Sequence, residues 1–384
     1  MQERYVDTPD ALHALCAEIA GSPRLMLDTE FMREKTYRAQ LCLIQVCDGQ
    51  VAACIDPLAL DDLSPLYALL FNPNIVKVLH AARQDLEIFL DLTGKLPAPI
   101  FDTQIAAALA GHADQIGYGN LVRELLGVDL DKSHTRTDWS RRPLDRQQMR
   151  YALDDVRYLV TVFDRLNAEL ARRGRLDWLQ PDFDALTDPA LYRNDPADAW
   201  QRVKGAGKLK PKQLAVLAEL AAWRERKAQD SNRPRRWILA DDPLLALARI
   251  QPDNENKLAS IRGLEAGHAK KSGKELLEHI RTALARPKET WPRLPEFKRT
   301  TPQQEALSDL LMAVVRLRAE EQAISVQSLA SRKELDALAR GERGLPVLKG
   351  WRQNLVGNDL LDLLEERAEL HLENAHLRIR KRTG

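Results

Sequence analysis

Arg24-Leu25-Met26-Leu27-Asp28-Thr29-Glu30 puts two carboxylates one residue apart at the end of an apolar run. The run predicts a short strand. Side chains on a strand alternate between faces, so Asp28 and Glu30 share one face of a sheet. Like charges held that close repel, and the arrangement is costly unless a cation sits between them. Such a cation needs further oxygen ligands, and any hydrolysis it supports needs a group that orients water.

Working outward, residues 41–47 and 51–55 are β-type runs separated by Asp48-Gly49, a hairpin signal. A helical stretch is expected from Asp56-Pro57 to about Phe71, a strand over 75–79, and a helix from about 82 to 92 ended by Gly94. Ile100-Phe101-Asp102 reads as a strand, 103–110 and 120–126 as helices, and 145–171 as one long helix. Antiparallel-like strands followed by strands alternating with helices predict an α/β domain with a mixed sheet.

Beyond Gly174, Pro181, Pro189, Pro196 and Pro211 interrupt the periodicity, and Pro287, Pro292, Pro295 and Pro302 make a second break. Between the breaks, and from Gln303 to the end, the pattern is all-helical. Ala246-Leu247-Ala248-Arg249 recurs as Ala337-Leu338-Ala339-Arg340, which suggests a duplicated helical domain. The expected organisation is a first domain over 1–175, a linker over 176–207, a helical domain over 208–288, a linker over 289–302 and a second helical domain over 303–384.

The chain has 384 residues, 44% of them apolar and 29% charged, which fits a globular protein of several domains. No apolar run approaches the roughly 20 residues needed to span a bilayer. Met1-Gln2-Glu3-Arg4 lacks the layout of a secretory signal. Cys16, Cys42, Cys47 and Cys54 lack zinc-type spacing, so buried free thiols, no disulfide-linked partner and a reducing cytoplasm are expected. Residues 1–180 hold 20 Lys and Arg against 26 Asp and Glu, and the remainder 37 against 30. An acidic first part beside a basic second part fits a metal-binding catalytic domain joined to modules that bind a polyanion, although compositional scatter gives the same picture.

Two other segments bring carboxylates to the ends of predicted elements. In Val78-Leu79-His80-Ala81-Ala82-Arg83-Gln84-Asp85 a strand passes into a helix whose first turn carries Asp85. In Tyr151-Ala152-Leu153-Asp154-Asp155 the tyrosine and the last aspartate are four apart and share a helical face. Each alone has a plainer explanation: Asp85 complements a helix N-terminus, and Tyr151 packs above a solvated carboxylate. Together, in order and in context, they resemble the three exonuclease motifs of the DEDD superfamily of 3′→5′ exonucleases. That resemblance implies a ribonuclease H-like fold.

Arg150 stands where one branch of that superfamily has histidine, and Tyr151 where the other has tyrosine, so the chain resembles the tyrosine branch. His80 and His134 are then expected to be supporting or structural. The stretches Leu27–Phe31, Gln40–Gln45, Asp129–Ser133 and Thr137–Leu144 narrow the resemblance to the bacterial ribonuclease D family. The helical segments resemble HRDC domains, through Trp223-Arg224, Ile238-Leu239 and Gly263-Leu264 in the first copy and Gly350-Trp351-Arg352 in a divergent second.

The resemblance implies two divalent ions, Mg²⁺ or Mn²⁺, held by Asp28, Glu30, Asp85 and Asp155. Asp28 would bridge both ions, Glu30 and Asp155 would complete the one that activates water, and Asp85 would support the other. Tyr151 would orient the attacking water; its ordinary pKa of about 10 makes it a weak base. Phe31 is expected to pack on the terminal nucleotide, and Lys132, Arg136, Arg141 and Arg142 to hold phosphates, with core packing and plain solvation as the alternatives. Basic clusters at Lys204, Lys208, Lys210 and Lys212, and at Arg233, Arg235, Arg236 and Trp237, are candidates for RNA contact in the helical part. The implied activity is release of nucleoside 5′-monophosphates from RNA, with 3′-extended tRNA precursors the expected substrate. A DNA exonuclease of the same branch, a non-catalytic RNA-binding protein on this fold and a helical half that contacts proteins stay open at this point.

Overall fold

The computed structural model describes residues 1–382 apart from 132, 135, 136, 265 and 295–299. Two compact units emerge, and neither is continuous in sequence. One comprises Met1–Glu30, Leu41–Asp188 and Lys298–Gly384; the other comprises Phe31–Gln40 and Pro189–Phe297.

The first unit is built on a mixed six-stranded sheet in the order β1-β4-β3-β2-β5-β6. Its strands are β1 (Gln2–Val6), β2 (Arg24–Met32), β3 (Gln40–Cys47), β4 (Val51–Ile55), β5 (Val76–Leu79) and β6 (Ile100–Asp102). β3 and β4 pair antiparallel across the turn at Gly49, whose φ of +104° suits glycine. The pairs β1–β4, β2–β5 and β5–β6 are parallel. Helix α1 (Pro9–Ile19) separates β1 from β2, α2 (Ser64–Leu70) and α3 (Arg83–Thr93) flank β5, and α4 (Thr103–Ala110) and α5 (Tyr118–Leu126) follow β6. The long α6 (Arg146–Arg172) starts at an Asp145–Gln148 capping box. It buries Ala152, Leu153, Val156, Leu159, Val162, Leu166 and Leu170, a stripe at helical spacing.

Two local expectations are corrected. The helix expected from Asp56 starts only at Ser64; at Asp56 the chain closes a single turn instead, with Ala59 N donating to Asp56 O at 3.2 Å, and the carboxylate accepts from Leu58 N–H, Tyr5 and Arg142. Nor is the chain all-helical after Gln303: it ends in an antiparallel hairpin of β7 (Ala368–Glu373) and β8 (His376–Lys381). Between them, α7 (Gln180–Leu186) belongs to the first unit and buries Phe183 against Phe101, their ring centroids 5.5 Å apart.

In the second unit α8 (Pro211–Asp230) is the central helix, followed by α9 (Arg235–Ile238), α10 (Asp241–Ile250), α11 (Glu255–Ala259) and α12 (Ala266–Ala285). Leu217, Leu220, Trp223, Leu244, Leu247, Leu276 and Ile280 are among its core residues. The C-terminal part of the first unit repeats this order of long and short helices. It has α13 (Pro302–Gln322), α14 (Val326–Leu329) and α15 (Arg332–Ala339), then α16 (Gly350–Arg352) continued through a π-turn into α17 (Asn358–Leu364).

Candidate active site

Leu25, Met26 and Leu27 are buried and anchor β2 in the sheet, so the polar end of the strand emerges in a fixed direction. β2 is much longer than its neighbour. Pairing with β5 ends at Met26–Val78, and beyond that point the chain leaving β5 turns into α3, whose first turn carries Asp85. Thr29 lies between the two carboxylates of the motif, and its hydroxyl donates to Asp85 Oδ1. Asp85 itself is only 7% exposed.

The turn into α3 is held by Asp102. Its carboxylate accepts from Ala81 N (3.2 Å) and Ala82 N (2.8 Å), and also caps α4 through Gln104 N (2.8 Å). Ala81 has φ +57°, a left-handed conformation that a non-glycine residue rarely adopts and that these bonds help to impose. His80 is fixed beside it by Thr103 Oγ1 (3.0 Å) and Ile116 O (2.9 Å), so both ring nitrogens have protein partners.

α6 supplies the remaining groups. Asp28, Glu30 and Asp155 each offer a carboxylate oxygen within 4.8 Å of the others. Asp85 also acts electrostatically on both Asp28 and Glu30. Burial is the largest cause pushing these carboxyls toward their protonated forms. For Asp28, repulsion from Asp155, Asp85 and Glu30 adds to it and raises the group well above the ordinary range. Glu30 is raised to about 8 by burial and then by Asp155 and Asp85. Asp155 is raised to about 7 by burial and then Asp154. Asp85 is raised to about 7 by burial, with Thr29 pulling the other way. Four acids that repel one another in a poorly hydrated pocket, with oxygen-only donors, fit a Mg²⁺ or Mn²⁺ site.

Tyr151 is half-buried one helical turn before Asp155. Its ring centroid lies 6.0 Å from Trp139 and 5.9 Å from His134. A cleft of about 340 Å³ opens on Tyr151 and Asp155, lined also by Asp131, Arg150, Asp154 and Tyr158.

The expected substrate-binding residues divide. Phe31 follows Glu30 on β2 and is partly exposed. Arg141 is exposed and pairs with Asp138 at 3.1 Å. Lys132 and Arg136 lie outside the described residues. Arg142 has its guanidinium bound to Asp56 at 2.5 and 2.7 Å and to Cys42 O at 2.6 Å, so it works as an internal clamp beside the phosphate contact expected of it.

Three contributors escaped the sequence reading. Thr29 looked like a spacer, and Asp102 like the end of a strand. Tyr118 gave no signal at all, yet it is half-buried beside Asp155 and Asp28 and donates to Asp154 O at 3.1 Å.

Comparison with known proteins agrees with this architecture. Residues 4–171 match the family model described as 3′-5′ exonuclease, and residues 213–280 match the HRDC domain. Ribonuclease D of Acidiphilium cryptum is 44% identical, covering 93% of this chain and 92% of that protein. Ribonuclease D of Pseudomonas paraeruginosa is 43% identical, covering 94% and 97%. The crystal structure of Escherichia coli RNase D, described as an exoribonuclease involved in structured RNA processing, superposes with a TM-score of 0.84 at 36% identity, covering 95% of this chain and 99% of that one. The catalytic core of RRP6 from Trypanosoma brucei gives 0.59 at 25% identity over 73% of this chain and 79% of that one. With a shared fold and identity that extends through the catalytic and helical parts alike, this chain belongs to the ribonuclease D family.

Proposed function

We propose that this chain is a two-metal 3′→5′ exoribonuclease that releases nucleoside 5′-monophosphates and trims the 3′ ends of tRNA precursors and other structured RNA. The observation that carries the reading is the convergence of Asp28, Glu30 and Asp155 within 4.8 Å, with Asp85 beside them. Those four carboxylates would hold the ions, Asp28 serving both. Bound there, a pair of divalent ions would acidify water and neutralise charge developing on the phosphate. Tyr151, through its hydroxyl, orients the attacking water, and Trp139 and His134 against its ring limit where it can point. Thr29 holds Asp85 to the strand that bears Asp28 and Glu30. Phe31 would meet the terminal nucleotide and Arg141 a phosphate.

The helical domains would increase the residence of RNA. Arg235 would play the smaller part in that role, because its guanidinium is bound to the buried Glu225. Trp237, 55% exposed, lines a hollow of about 320 Å³ with Arg233 and Lys271, which supports base stacking flanked by phosphate contacts. We read the C-terminal helices as a divergent second HRDC-like domain, on their repetition of the α8–α12 order of lengths. Four buried free thiols support a reducing cytoplasm as the working compartment.

The test is digestion of a 3′-extended tRNA precursor and a matched single-stranded DNA with Mg²⁺ or Mn²⁺. Mononucleotides should appear from the RNA, disappear with Asp28→Ala, and form about 100-fold more slowly with Tyr151→Phe. Equal digestion of the DNA would favour a deoxyribonuclease. Internal fragments, or activity that survives EDTA, would overturn the two-metal reading.

A further inference from the structure

A second hollow, of about 590 Å³, opens between β1 and the first turns of α6, wholly within the first unit. Four arginines line it, Arg4, Arg146, Arg150 and Arg157, against one acid, Glu3. That balance runs against its surroundings, since residues 1–180 hold 26 acids and only 20 bases. Met149 and Leu153 add apolar surface between the charges.

The four cations are not equivalent. Arg4 pairs with Glu18 at 2.7 Å, and Arg157 pairs with Glu3 at 3.1 Å and with Asp154. Arg146 and Arg150 are exposed, and among the described residues neither side chain makes a hydrogen bond or an ion pair. Arg150 acts electrostatically on Asp154. Arg146 is the first residue of α6, where the helix dipole is positive and a cation is disfavoured. With no acid paired to it, Arg146 gains nothing there from the fold, whereas its charge and the dipole attract the same anion. Arg150 follows one turn later on the same face, about 6 Å along the axis. Arg150 also lines the cleft that opens on Tyr151 and Asp155, so hollow and cleft meet at one side chain. A strand whose 3′ end lies against Asp155 leaves the cleft over Arg150 and brings its next phosphates to Arg146.

We propose that this hollow holds backbone phosphates of the RNA strand on its way out of the active site, Arg150 and then Arg146 each taking one. The direction of the strand rests on the exoribonuclease reading above. Phosphate esters have a second source in the nucleoside 5′-monophosphates that the reaction releases, and competition by free nucleotide separates the two.

The experiment uses the full chain as wild type, Arg146→Ala, Arg150→Ala and the double variant. Lys95→Ala, which removes an exposed cation beyond α3 over the Phe71 ring, controls for overall charge. Binding of a 5′-fluorescein oligoribonucleotide is followed by anisotropy in EDTA at several salt concentrations, and nucleotide release is followed separately with Mn²⁺. Each single arginine variant should weaken binding about tenfold and lower the slope of log Kd against log salt by about one phosphate contact, and the double variant by about two. Lys95→Ala should bind as the wild type does. Unchanged affinity and slope in the arginine variants would overturn the proposal, and so would an equal loss in Lys95→Ala. Added uridine 5′-monophosphate should inhibit wild type and Arg146→Ala alike. Inhibition lost in Arg146→Ala beside unchanged RNA binding would make the hollow a site for released nucleotide and overturn the strand assignment. A wild type that binds RNA through both arginines yet releases no nucleotide would support the phosphate site while overturning the exoribonuclease reading.

Discussion

With no cation bound, burial raises Glu30 to about 8, with repulsion from Asp155 and Asp85 adding to it, and raises Asp85 and Asp155 to about 7. In the unfolded chain the same groups release their protons near their ordinary values of 4.5 and 3.8. Between those limits the folded protein holds more protons than the unfolded one, so its stability falls as pH rises. In EDTA, the thermal midpoint should therefore drop between pH 5 and pH 8. Saturating Mg²⁺ or Mn²⁺ should raise it, and by more at pH 8, where cations no longer compete with protons. Asp28→Asn removes one of the repelling charges, so it should raise the EDTA midpoint at pH 8 and blunt the response to metal. Thermal melts across pH with and without metal measure all three effects; an Asp28→Asn protein that responds to Mn²⁺ like wild type would contradict the assignment.

At the scale of elements, Arg142 joins three pieces of backbone. It reaches Asp56 at the end of β4, Cys42 O in β3 and Trp139 O in the segment before α6. Asp56 is 2% exposed, so removing its partner strands a buried charge, with only Tyr5 and Leu58 N–H left to serve it. Arg142→Ala should lower stability by about 3–5 kcal/mol in urea denaturation at neutral pH. Burial raises the Asp56 carboxyl, but the bonds from Arg142 and Tyr5 carry it below its ordinary value. Its contribution is therefore present above the ordinary carboxylate range and is lost as pH falls through the depressed value. The gap between variant and wild type should narrow in acid. This clamp also marks where sequence reading ends. The carboxylate cluster was legible because its chemistry lies in residue type, spacing and the apolar run Leu25–Leu27, all local properties. Which partners inside the fold an arginine finds depends on tertiary structure, which is why the bonds of Arg142 to Asp56 and of Arg235 to Glu225 had no signal in the sequence. β1 was missed for a related reason: Gln2-Glu3-Arg4 has no strand-like pattern, and pairing with β4 makes it a strand.

At the scale of the whole first unit, the C-terminal helices are fastened to the nuclease fold where two helices end. α4 finishes at Ala110 and α13 at Gln322, and each leaves carbonyls without intrahelical partners. Ser325 N donates to Ala108 O at 3.1 Å. Arg175, 6% exposed, donates to Leu109 O at 3.0 Å and to Gln322 O at 2.6 Å, placing one cation at the negative ends of both helices. Close approach depends on Gly111. Its φ is +102°, and a Cβ there would lie 2.7 Å from Ala323 O, a backbone atom that cannot swing away. Gly111→Ala should therefore combine backbone strain with a steric clash and cost about 2–4 kcal/mol. Gly127→Ala is the control: φ is +70° but nothing lies within 4 Å of the added carbon, so strain alone, about 1 kcal/mol, is expected. Amide hydrogen exchange separates a local from a joint effect. In Gly111→Ala, protection should fall together at residues 108–111 and 322–325, on both sides of the junction, while Gly127→Ala leaves both segments as they are in the wild type. Loss confined to the α4 side would mean that the C-terminal helices hold their place without Gly111.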